Sequence, residues 1–97
     1  DYKNLASLYK PQLETYASAS TTPAASSSIA TAAAGDAQNI IDTTNTLITK
    51  LTDIITNYEA ASSESLKIIY IADYQKLDLY TQADITNSKT EWDAILP

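Results

Sequence analysis

The chain contains no cysteine, no histidine and no methionine, its six basic residues are all lysine, and it has a single glycine. Without cysteine there is neither a disulfide staple nor a thiolate metal site. That fits a reducing cytosol and equally a microbial surface protein, so it leaves the compartment open. Without histidine and arginine the commonest general base, the commonest metal ligand and the bidentate phosphate clamp are missing together. One glycine cannot build a Gly-rich phosphate loop. Carboxylates alone would suit calcium, but no segment repeats acids at alternate positions around a turn glycine. The residue inventory therefore predicts no catalytic residue, no metal, no cofactor and no enzymatic activity. Twelve carboxylates against six lysines give a formal charge of -6, which repels nucleic acid and anionic membrane surfaces alike. No apolar run approaches the roughly 20 residues that cross a bilayer, so no transmembrane segment is expected.

What is present is helical periodicity. Ile40, Ile41, Leu47, Ile48, Leu51, Ile54, Ile55 and Tyr58 recur at spacings of three and four, with Thr, Asn, Asp and Lys between them. That is one apolar face of an amphipathic helix, and its sharp edge predicts that it lies in a core. Upstream, Tyr2, Tyr9 and Tyr16 fall seven apart with Leu5 and Leu13 between, a seam on a first helix that Pro11 would kink or restart. Residues 17–34 are so rich in Ala, Ser and Thr that they read either as a linker or as a helix start. Thr22 before Pro23 favours the helix, with a capping hydroxyl next to a proline at the first helical position. Ile29, Ala33 and Ala37 then continue the phase of the later stripe across Gly35.

Ser62 or Ser63 followed by Glu64 predicts a turn and a new helix. From there Leu66, Ile69, Tyr70, Leu77, Tyr80 and Ile95 share one side, and Ile68, Ala72 and Leu79 lie on another, with Ile71 between. The fold expected is an all-α, elongated, antiparallel three-helix bundle forming one domain over residues 1–97. Its helices would span about 2–18, 23–61 and 64–95, the long central one bent or broken near Gly35 if anywhere. A central helix of about 38 residues would run about 57 Å, so a first helix of half that length leaves apolar surface uncovered.

Candidate residues follow from that layout. Ile68, Ile71 and Leu79, on the second side of the last helix, are the expected partner-binding face. Tyr70, Tyr74 and Trp92 form an aromatic set able to rim a carbohydrate or peptide site. Helical projection sets Asp73 and Asp84 beside Leu66, Leu77 and Tyr80, where they are expected at the rim of the core with Lys76 and Tyr80 as local partners; if buried instead, their carboxyl pKa would rise. The threonines at 43, 46, 49, 52 and 56 are too unevenly spaced for a matched lattice and read as a solvated or glycosylated face. High Ser and Thr content and a start at Asp1 point to a processed chain, secreted or at the cell surface. The function expected is a non-enzymatic interaction or structural module (adhesion, assembly or stalk repeat) whose partner is another protein or a second copy. The alternative is a small carrier that holds a lipid or other apolar molecule between its helices.

Overall fold

A computed structural model describes all 97 residues and shows four helices and no strand. They are α1 (Tyr2–Ser18), α2 (Ala24–Ala60), α3 (Glu64–Gln75) and α4 (Gln82–Ile95). Asp1 caps α1, its carboxylate accepting from the Asn4 amide at 3.0 Å. Pro11 lies inside α1 on an exposed position, where water can satisfy the carbonyl that loses its amide partner. The hydroxyl of Thr22 donates to the Tyr16 carbonyl at 2.7 Å and that of Ser27 to the Ala17 carbonyl at 2.6 Å. Thr22 thus closes the end of α1, where the sequence pattern had it capping the start of α2.

The Ala/Ser/Thr segment is helix from Ala24 onward, and α2 runs 37 residues through Gly35 without a break. No residue takes a positive φ, and a methyl group placed on Gly35 would meet nothing within 4 Å. Gly35→Ala is therefore expected to stabilise the chain by about 1 kcal/mol, the helix-propensity difference. A higher urea midpoint would show it, and a lower one would mean that the site needs glycine.

The expected single helix over 64–95 is two helices. Ser63 caps α3 by accepting from the Leu66 amide, as the serine pattern predicts. The helix then stops at Gln75, and the chain is non-helical until Thr81. Thr81 and Asp84 form a capping box: the hydroxyl accepts from the Asp84 amide, and the Asp84 carboxylate accepts from the Thr81 amide at 2.7 Å. A reciprocal cap satisfies two helix-end donors at once, so it fixes a helix start inside an otherwise periodic stretch. Asp84 belongs to that cap. Asp73 and Asp84 are both partly buried, and no charged or polar residue of the chain is fully buried; the partner of Asp84 is Thr81 rather than Tyr80.

The chain divides into two compact units: Asp1–Thr43 with Tyr80–Pro97, and Thr44–Leu79. The first holds the core. Tyr2, Ala6, Tyr9 and Leu13 of α1 pack with Ala33, Ala34, Ala37 and Ile40 of α2 and with Trp92 of α4. Small alanines on α2 face large rings on the other two helices, the volume alternation that close packing requires. Tyr9 and Trp92 stack tilted at 5.4 Å, and Tyr2 meets Tyr80 edge-on at 4.5 Å. Since Tyr2 bonds Ser88 and Tyr9 bonds Asp93, α1 and α4 run in the same direction. The second unit holds residues 44–60 of α2, the turn at 61–63 and α3. None of its residues is fully buried.

The Ile40–Tyr58 stripe is therefore core at one end only. Ile40 is 8% exposed, but Ile48 is 51% and Ile55 47% exposed. The reason is cover: in the first unit α1 and α4 lie on α2, whereas in the second only the short α3 accompanies it.

Candidate functional site

Part of the apolar surface of the Thr44–Leu79 unit forms a groove of about 330 Å³. Leu51, Ile54, Ile55, Tyr58 and Glu59 line it from α2, and Tyr70, Ile71 and Tyr74 from α3. On α2 these positions repeat at three and four, so one face supplies them all. On α3 Tyr70, Ile71 and Tyr74 occupy adjoining positions by the same spacing. The Lys67 ammonium lies 5.7 Å from the centre of the Tyr58 ring, near enough for a cation–π contact between the two helices. The same lysine approaches Glu64 at 3.8 Å. Glu59 is the only charged residue in the lining and makes no ion pair. The groove is thus an almost wholly apolar trough, walled by the carbon parts of its side chains. It offers shape and apolar area, and no nucleophile beside a base.

The expected site residues separate. Ile71 and Tyr74 line the groove together with Tyr70. Ile68 and Leu79 are exposed, at 63% and 49%, but outside the lining. Trp92 is 2% exposed in the core of the other unit, so it cannot rim a surface site with Tyr74. Its ring went there because α4 starts afresh at the Thr81 cap, which resets the face that Trp92 presents. Leu51, Ile54, Ile55 and Tyr58 form one wall of the groove, although their periodicity predicts core. They stay open because α3 is the only helix beside this half of α2.

The first unit carries one polar cluster. Tyr9 donates its hydroxyl to the Asp93 carboxylate, whose other oxygen accepts from Lys89 at 2.7 Å. The Lys89 hydrogen bond, then that of Tyr9, holds the Asp93 carboxyl below the usual aspartate range. Asp93 in turn pushes both the Tyr9 phenol and the Lys89 ammonium up. The cluster ties α1 to α4. A carboxyl whose pKa is lower folded than unfolded adds stability that is complete above the unfolded value and is lost as pH falls through the folded one. Asp93→Asn should accordingly lower the melting temperature at neutral pH, and the gap to the parent chain should close on acidification below the ordinary aspartate pKa. A gap that persists in acid would remove the charge from the account. Tyr9 and Lys89, shifted upward, contribute in the opposite sense, and their share is lost as pH rises through their folded values.

A wider depression of about 560 Å³ lies between Pro11, Gln12, Thr15, Tyr16 and Ala19 of the α1 end and Leu96 and Pro97. It is larger than the groove, gathers no charged side chain and has a more polar lining. Nowhere do three or more carboxylates come together as a metal site, and no helix is long and apolar enough to cross a membrane. Compared with known proteins, the chain matches no family model, no curated protein and no solved structure.

Proposed function

We propose that the chain is a non-enzymatic interaction or structural module that acts through helix-face packing, with the Thr44–Leu79 hairpin as its working face. One observation carries this reading: the hairpin has no fully buried residue, yet it exposes Ile48, Ile55, Tyr58, Leu66, Ile68, Ile69, Ile71, Tyr74 and Leu79 by 38–63%. Apolar surface left in water forgoes about 25 cal/mol per Å², and this much exposed apolar side chain on so small a unit marks a surface that another molecule covers. The fitting partner is a helical protein surface with an apolar stripe of its own. The first unit serves as the support. Its three helices read as an up-down-up bundle, because Ser27 bonds Ala17 at the α1–α2 turn while α1 and α4 run together. A secreted or cell-surface setting goes with this reading, supported by an exterior rich in Ser and Thr.

The test is the stability of the dilute chain. Ile55→Lys and Ile71→Lys should each cost less than about 1 kcal/mol in a urea melt, because neither side chain is needed by the fold itself. A cost of 2–5 kcal/mol, as for a core leucine, would make the face structural and defeat the proposal.

A second reading rests on the groove volume, which at about 330 Å³ lies in the range of small-molecule sites. In that case the hairpin holds a lipid or similar apolar molecule. Solvent extraction and mass spectrometry of the purified protein would find a stoichiometric ligand, and finding none would leave the packing module.

A further inference from the structure

We infer that the Thr44–Leu79 hairpin is an order–disorder element, which opens and closes as one cooperative unit while the first unit stays folded. The inference goes beyond the packing-module reading and holds for the chain by itself, whatever the face binds.

The first argument is where the core lies. Every member of the core cluster, and every apolar residue packed against it, belongs to Asp1–Thr43 or Tyr80–Pro97. Opening the hairpin therefore uncovers none of the fully buried side chains. Elements with few buried apolar contacts open at a lower free energy than the molecule as a whole.

Local preference supplies the second argument. The two halves of α2 differ in composition: residues 24–43 include seven alanines, whereas residues 44–60 have none before Ala60. In their place stand five threonines, three isoleucines, two asparagines and an aspartate, all weaker helix formers than alanine. This half extends a helix already nucleated, but with residues that barely propagate one. Its neighbour α3 has 12 residues, and isolated helices shorter than about 12–15 residues are marginal in water. Neither wall of the groove keeps its helix without the other. Leu51 and Ile54 on one wall and Tyr70 and Ile71 on the other hold them together, which makes their order mutual.

Both ends of the hairpin are fixed from within the first unit. Ile40 is in the core and Ile41 packs against it. Tyr80 meets Tyr2 edge-on at 4.5 Å, and the Thr81–Asp84 box starts α4 with its own residues. Opening thus stops at both junctions, and α1, α4 and the first half of α2 keep their packing. Any molecule that binds the closed hairpin better than the open one shifts this equilibrium toward order.

Native-state hydrogen exchange of the full chain, followed by NMR at low urea concentrations, tests this. Amides of residues 48–58 and 68–75 should share one level of protection, at least about tenfold below that of the most protected amides of α1 and α4. Their urea dependence should be shallower, because less surface is exposed. Ala37→Leu and the milder Tyr9→Phe, both in the first unit, should lower the protection of α1 and α4 by about threefold or more and leave the hairpin within about twofold. Tyr70→Ala on α3 should lower protection by the same factor in residues 48–58 as in 68–75. Equal protection and equal urea dependence in the hairpin and α1 would overturn the inference, as would an equal loss in both on Ala37→Leu and Tyr9→Phe. So would an α3 that exchanges freely beside residues 48–58 as protected as the first half of α2.

Discussion

Trp92→Ala is expected to cost about 3–5 kcal/mol of folding stability. A chain of this length has on the order of 5–15 kcal/mol in all, so the variant should be almost wholly unfolded at the parent's melting temperature. The indole is 2% exposed, leans on Tyr9 and belongs to the cluster that joins three helices. Removing it leaves a void among side chains held by several elements, and the alanines of α2 are too short to collapse into it. A urea titration followed by far-UV circular dichroism gives the value, since Trp92 is the only tryptophan and its fluorescence disappears with it. A variant as stable as the parent would return Trp92 to the surface role that aromatic composition alone assigns to it.

Ala37→Leu is expected to destabilise by about 1–3 kcal/mol for the opposite reason. Ala37 is fully buried on α2, in the cluster that contains Tyr9 and Trp92, and three extra carbons there force neighbours out of their rotamers. Ala32, on the same helix but exposed, is the control: Ala32→Leu should stay within about 0.5 kcal/mol. The pair separates a packed alanine face from a merely alanine-rich helix. Equal effects at 32 and 37 would mean that residues 24–40 are not the close-contact surface of the core.

These two positions also show where sequence reading works and where it stops. The Tyr2–Tyr9–Leu13 seam was legible because large side chains at helical spacing have few uses other than packing. The alanines at 33 and 37 carried the right phase but little apolar area, so composition alone left helix and linker in competition. Trp92 buries more surface than any of them, yet its place depended on where α4 begins. That start rests on one hydroxyl and one carboxylate three residues apart.

The stripe from Ile40 to Tyr58 shows the same limit from the other side. Its period identified a continuous amphipathic helix, and α2 is one helix across it. Whether an apolar face is core or surface depends on what lies opposite, and a single strip of sequence does not carry that information. Ile40 meets α1 and α4, while Ile55 meets only a 12-residue α3 and remains half exposed.

Helicity, the position of the apolar faces and the lack of histidine, cysteine and arginine are all readable along the chain. Local backbone preference and residue chemistry act over a few neighbouring positions and can be read there. Which apolar faces are covered depends on how the helices pack, and the fold supplies that. It showed that the third expected helix is two, that the alanine-rich half of α2 is buried, and that the Thr44–Leu79 groove stays open. Burial is a property of pairs of distant elements: α1 and α4 pack on the first half of α2, and α3 alone accompanies the second.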